Sequence, residues 1–146
     1  MFIAIDIARV LEKVYALSAL KAITDGSAGV AETLGEDHET ALRQIAPGAM
    51  AEITALLGNI VKETNLAEIA DDSPALTLSV EMQTENHGGL RLLIEEALTL
   101  MILARATSGS DGDYAATLSE KAAAEIGKAR EMATEPPTKS HIKIWY

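Results

Sequence analysis

Residues 90–129, LRLLIEEALTLMILARATSGSDGDYAATLSEKAAAEIGKA, decide the fold of this chain. Two apolar stripes with the spacing of a helix surface lie on either side of a short turn of small residues at 107–112. The stripes are Leu90, Leu93, Ile94, Ala97, Leu98, Met101 and Ile102 in the first helix and Tyr114, Leu118, Ala122, Ile126 and Ala129 in the second. Because the turn is short, the two helices are predicted to pack antiparallel over 90–106 and 114–133.

The ends of this hairpin carry their own signals. Asn86–Gly89 is predicted to be the turn that leads into the first helix. Asp111 or Asp113 is positioned to cap the second helix, and Pro136-Pro137 ends it because proline cannot continue a helix.

A further helix is predicted near the start of the chain. After an apolar lead-in at Met1–Ile5, Asp6 is a plausible N-cap, and the helix ends near Ile23 before a polar loop. The residues predicted to share its buried side are Ile7, Val10, Leu11, Val14, Leu17 and Leu20.

Another helix is predicted from 33 to 65. Thr33 and Glu36 have the spacing of a capping box, and Thr64-Asn65 marks the end. Its apolar positions are Leu42, Ile45, Ala49, Ile53, Leu56, Leu57, Ile60 and Val61. Proline removes a backbone donor, so a kink or break is expected at Pro47-Gly48.

The apolar period changes to two at Leu76–Met82, which predicts one short extended segment. Its backbone groups need a partner, within the chain or on another chain, and no second strong strand signal lies nearby. The fold class is therefore mainly α: a bundle of about four helices with less than about 15% strand. Residues 1–137 form the helical domain.

Composition limits the classes of function. The 146 residues fit one domain, and the absence of cysteine excludes disulfides and thiolate zinc sites. A net charge of −10 argues against direct nucleic-acid binding. Residues 25–96 hold 14 acidic and 3 basic residues, which is either a face for a basic partner or a solvated surface.

We expect neither a leader nor a membrane span. Asp6 and Arg9 interrupt the first apolar stretch, which is unlike a signal peptide. The longest apolar stretch, Leu90–Ala104, is too short and too charged to cross a bilayer. The absence of cysteine suits a reducing compartment or indifference to redox state.

The sequence indicates no catalytic, metal-binding or cofactor-binding residues, and we predict that the chain is not an enzyme. Its three histidines, His38, His87 and His141, have no second ligand at metal-binding spacing. Helical hydrolases of nucleoside triphosphates place glutamates on facing inner surfaces. Here Glu95 and Glu96 lie off the apolar stripe and are predicted to face outward, so that changing either to glutamine leaves the fold intact. Glu120 and Glu125 in the following helix are the other two glutamates considered for such a site.

Residues 138–146 are predicted to form an extended arm. Three of the five aromatic residues, Phe2, Trp145 and Tyr146, lie near the two ends of the sequence. Ile142, Ile144 and Tyr146 alternate with polar residues, so this arm suits strand addition to a sheet edge, on a neighbouring chain or on its own 76–82 segment. The predicted partner interface comprises Phe2, Leu76, Leu78, Val80, Met82, Ile142, Ile144, Trp145 and Tyr146.

The order of these elements resembles the small helical head–tail connector (adaptor) proteins of tailed phages and related proteins of prophage structural cassettes. The likeness covers about residues 6–137: a leading helix, a helix opened by Leu34-Gly-Glu-Asp-His38, the strand-like Leu76–Met82, and the helical hairpin closed by Glu135-Pro-Pro137. It departs at Leu103-Ala-Arg105, where such proteins often carry aromatic residues.

The resemblance implies a ring-forming neck protein of the virion that joins the portal to the tail. Its partners would be copies of itself, portal and tail proteins, with arms binding neighbouring subunits. The alternative is a small helical interaction module or accessory subunit without enzymatic activity. A ring protein forms a large closed oligomer, whereas an accessory subunit is a monomer or dimer.

Overall fold

The computed structural model describes residues 1–24, 33–66, 74–79 and 84–134, with the backbone alone at 84–86. In chain order the elements are β1 (Phe2–Ala4), α1 (Ile7–Thr24), α2 (Glu39–Leu57), β2 (Val61–Thr64), β3 (Ala75–Leu78), α3 (Thr84–Thr107) and α4 (Gly112–Thr134). Single 3-10 turns, Glu36–His38 and Gly58–Ile60, flank α2. The prediction of a mainly helical fold with about four helices is confirmed.

Helices α3 and α4 form the predicted antiparallel hairpin. The backbone N–H of Tyr114 donates to Asp111 Oδ1 over 3.1 Å, so Asp111 is the cap of α4. At the other end, the methyl group of Met132 would lie 3.7 Å from a Cβ built on Gly89, which places the end of α4 beside the start of α3.

The predicted start of α3 was wrong. The helix begins at Thr84, and Asn86–Gly89 are helical rather than an entry turn. Two adjacent glycines are unfavourable in a helix, but packing against α4 outweighs intrinsic propensity here.

Helix α1 runs parallel to α3. The N–H of Arg9 donates to Asp6 Oδ1 over 3.3 Å, which confirms the predicted cap. Lys13 meets Glu95 in the middle of α3, and Lys21, later in α1, stacks 4.5 Å from the ring centroid of Tyr114, which follows the end of α3. The buried side holds Ile7, Val10, Leu11 and Val14 as predicted. Leu20, placed on the same side by the sequence, is 57% exposed instead.

Helix α2 runs antiparallel to α3, and its predicted start needs correction. Thr33 does not cap it: the N–H of Gly35 donates to His38 Nδ1 over 3.1 Å, and the α-helix begins at Glu39. The helix is not broken at Pro47. Only one hydrogen bond is lost there, and the buried Ala46, Ala49, Met50 and Ile53 hold both sides of proline against the bundle.

The chain leaves α2 earlier than predicted, at Leu57. Gly58 has φ of +69°, a conformation that other residues rarely adopt, and it ends the helix. Residues 61–64 therefore form strand β2 rather than a last helical turn. Arg130 of α4 approaches Gly58, which places the end of α2 beside the end of α4.

The three strands form one antiparallel sheet in the order β1-β3-β2. Phe2 pairs with Thr77 and Ala4 with Ala75, while Val61 on the opposite side pairs with Leu78. The expectation that no second strand lies nearby was wrong, because both partners are too short to show a clear two-residue period. The sheet lies where α1 and α3 begin and α2 and α4 end; we call this the sheet end of the bundle.

Changing Leu98 to alanine should lower the free energy of unfolding by about 2–5 kcal/mol, because Leu98 is fully buried in α3. Leu92→Ala is the matched control: it lies in the same helix, is 46% exposed, and should cost less than about 1 kcal/mol. Urea unfolding followed by circular dichroism measures both. Equal losses would contradict this placement of α3.

Candidate functional site

The sheet offers two surfaces to other molecules. Within the described ranges, β1 and β2 each pair on one side only, so each is an edge strand. Ile3, Leu76 and Leu78 point into the core, whereas Phe2 points outward and is 62% exposed. Phe2, Ala4, Ala75 and Thr77 form what we call the outer sheet face.

The predicted interface residues fall into three groups. Leu76 and Leu78 are buried at 1% and 2% exposure. Strand β3 pairs with β1 and β2 of the same chain, so this part of the Leu76–Met82 segment finds its partners within the chain. Their side chains belong to the chain's own core. Phe2 is exposed on the outer sheet face. Val80, Met82, Ile142, Ile144, Trp145 and Tyr146 lie outside the described residues.

The position of α4 connects these groups. Its last described residue, Thr134, lies at the sheet end, because Arg130 approaches Gly58 and Met132 approaches Gly89. Helix α4 therefore ends at the same end of the bundle as the outer sheet face and as the edges of β1 and β2 that have no partner strand in the described ranges.

Helix α1 has an apolar surface of its own. Its last three turns expose Ala16, Ala19, Leu20 and Ile23, which recur with helical spacing. Leu20 and Ile23 are 57% and 70% exposed. Single exposed apolar residues are common, but a stripe that continues over two turns is typical of a contact surface.

A groove of about 540 Å³ lies at the opposite end, between α2, α3 and α4. Small side chains such as Ala104, Ala115 and Ser119 line it, above a floor that includes Met101. Arg105 lies along one side of the groove. Its Nη2 donates to Glu52 Oε1 at 3.1 Å and to the Gly48 carbonyl oxygen at 3.3 Å. The ion pair ties the end of α3 to α2.

Glu95 was predicted to face outward, and this prediction was wrong. The side chain is 1% exposed and lies between α1 and α3. Arg9 Nε and Lys13 Nζ lie 3.8 Å from its Oε2, and Arg91 Nε lies 3.8 Å from its Oε1. These separations are too long for direct hydrogen bonds, and Oε2 has no hydrogen-bond partner among the residues that the structure describes.

Glu96 behaves as predicted. Its side chain is 50% exposed, and its Oε1 lies 3.7 Å from Lys13 Nζ. Glu120 is exposed, and Glu125 pairs with Lys128 at 3.2 Å on the surface of α4. Glu95 faces α1 rather than α4, so the four carboxylates do not meet. In the described part of the chain, no three His, Cys, Asp or Glu side chains are placed to hold a metal ion.

The start of α2 is strongly acidic. Glu36 and Asp37 are exposed, and Glu39 bonds Arg43 at 3.1 Å. Partial burial raises the pKa of the nearby Tyr15 above its ordinary value, and Glu39 and Glu36 raise it further against the opposing effect of Arg43. No described helix is long and apolar enough to cross a membrane.

Compared with protein-family models, with curated proteins and with solved structures, this chain matches none.

Sequence reasoning named Glu95 but missed its burial against α1. A signal for it was present: Arg9, Lys13 and Arg91 are basic residues at four-residue spacings to one another or to Glu95. The sequence does not show that α1 lies against this side of α3, and only that contact buries the carboxylate.

Changing Glu95 to glutamine should lower the free energy of unfolding by about 1–3 kcal/mol. Glutamine leaves a polar group buried but loses the attraction of three cations. Glu96→Gln is the control, since that side chain is half exposed, and it should change stability by less than about 0.5 kcal/mol. Thermal and urea unfolding of the two variants check this, and equal stability would place Glu95 in solvent.

Proposed function

We propose that this chain is a structural assembly protein of a tailed-phage neck, a ring-forming head–tail connector that joins portal to tail in the virion. Its partners are copies of itself and the portal and tail proteins, and it works by protein contacts without direct nucleic-acid binding. The support comes from the order of elements described above and from surfaces suited to other chains.

One observation carries the proposal: an exposed apolar sheet surface lies at the end of the bundle where α4, the helix before the arm in the sequence, ends. Phe2 is 62% exposed beside a free strand edge. A large exposed aromatic side chain is well suited to anchor an interface, and a free strand edge is a template for another strand. The alternating arm at 138–146 has the pattern of such a strand.

The arm of one subunit is proposed to add to the free edge of β1 in the next. Backbone hydrogen bonds would supply affinity, and the alternate side chains Ile142, Ile144 and Tyr146 would supply specificity. A surface on one subunit that binds a different surface on the next is a heterologous contact, which closes into a ring when the rotation permits. The net charge of −10 disfavours non-specific stacking of rings.

The oligomeric state tests the proposal directly. Light scattering coupled to size exclusion, with negative-stain microscopy, should show a closed ring of the full chain, alone or with a portal protein. A chain that stays monomeric or dimeric under both conditions would favour the accessory-subunit alternative.

Deleting residues 138–146 should abolish ring formation and leave the melting temperature of the monomer nearly unchanged, because the described residues from Ile3 to Ala133 bury a core of their own. Melting curves and light scattering measure the two effects. A sharp fall in the melting temperature of a monomeric sample would mean that the arm belongs to its own core.

Point variants localise the contact. Phe2→Ser should weaken assembly without destabilising the monomer, because the side chain is mostly exposed. In the arm, Ile144→Ser should weaken assembly, whereas Lys143→Ser, on the other side of the proposed strand, should have little effect. Equal effects of the two arm variants would count against a strand-like contact.

A further inference from the structure

The N-terminal unit, residues 1–24, attaches to the rest of the molecule chiefly through one strand and the buried side of one helix. Six of its side chains belong to the core cluster: Ile3, Ile5, Ile7, Val10, Leu11 and Val14. β1 pairs only with β3 among the described strands, and α1 packs chiefly on α3 and little on α2. Smaller ties are the bond from the Leu34 N–H to Ser18 Oγ at 2.9 Å and the contact of Lys21 with Tyr114. Such a unit can open without unfolding of the α3–α4 hairpin.

The contact of α1 with α3 combines an apolar side with a buried charge. Ile7, Val10, Leu11 and Val14 are buried on α1. Beside them, Arg9 Nε and Lys13 Nζ each lie 3.8 Å from Glu95 Oε2, too far for a direct hydrogen bond. Lys13 is shared with the exposed Glu96.

The docking of α1 on α3 therefore depends on the cations near Glu95. Docking of α1 removes the Glu95 carboxylate from water, which is costly unless nearby cations compensate. The compensating side chains of Arg9, Lys13 and Arg91 remain 47%, 27% and 48% exposed, so dissolved salt can screen them. Removing one of these cations therefore weakens the docking of α1 on α3. An apolar residue of similar size in place of Glu95 would need no cation beside it.

We propose that Glu95 is an electrostatic latch that lets the N-terminal unit open as one piece, uncovering the edge of β3. In the closed state β3 is the central strand, and its hydrogen-bonding groups on both sides are used. In the open state the side vacated by β1 becomes a free edge, to which a strand of another chain can add. This inference concerns the single chain and does not depend on the proposed ring.

Hydrogen exchange followed by mass spectrometry on the full chain tests the latch. The measured quantity is the exchange rate of amides in α1 relative to those in α4, at ~0.05 M and ~1 M sodium chloride, where the screening length falls to ~3 Å. The wild-type ratio should rise with salt, because α1 opens while α4 stays closed.

Three variants complete the experiment. Lys13→Ala should raise the ratio already at low salt. Glu95→Met should lower the ratio and abolish its salt dependence, because no buried charge remains. Lys128→Ala is the control, since its partner Glu125 lies on the surface of α4, away from α1; it should leave the ratio at the wild-type value.

Two results would overturn the proposal. The first is exchange of α1 and α4 at equal rates with equal salt response, which means that the unit opens only by global unfolding. The second is an unchanged salt response in Glu95→Met, with its folded state verified by a cooperative melt. Both readouts compare two helices of the same chain, so a chain that forms no ring leaves the test intact.

Discussion

Helix α3 must be enclosed on nearly every side, and the rest of the molecule is arranged to enclose it. From Leu90 to Ala104 most of its side chains are buried, including residues on opposite faces of the helix. No single neighbouring helix can cover such a surface, because a helix contact covers one stripe only. The antiparallel α4, the antiparallel α2 and the parallel α1 each take one side.

The small sheet follows from this arrangement. With α1 and α3 beginning, and α2 ending, at the same end of the bundle, the segments that lead into and out of them are brought side by side. Their backbone groups need partners once the apolar residues Ile3, Leu76 and Leu78 are buried, and pairing with one another supplies them. Short strands suffice because the helices stabilise the inner face of the sheet.

Sequence reasoning predicted the parts of the fold that depend on long periodic stripes. The helical hairpin, the cap at Asp111 and the buried side of early α1 were all readable from residue spacing. The strands β1 and β2 were not, because three or four residues are too few to establish a period. Gly58 was a usable stop signal for α2 that the longer apolar pattern obscured. For the candidate site, the exposure of Phe2 agrees with its predicted place in an interface, whereas the burial of Glu95 depends on a helix contact that spacing alone does not give.

The two ends of the molecule differ in how they meet other chains. At the end opposite the sheet, the groove is crossed by Arg105, whose bonds to Glu52 and Gly48 satisfy polar groups within the chain. At the sheet end, the edges of β1 and β2 leave backbone donors and acceptors without partners among the described residues, next to the exposed ring of Phe2. Solvent can satisfy those groups, but a strand from another chain satisfies them while also burying apolar surface. A strand from another chain would therefore bury more apolar surface at the sheet end than at the opposite end. The same end contains the start of α1, which packs through Ile7, Val10 and Leu11. The proposed assembly at the edge of β1 and the proposed opening of the N-terminal unit both involve β1, so the two would be coupled: a strand that replaced β1 beside β3 would need the open state.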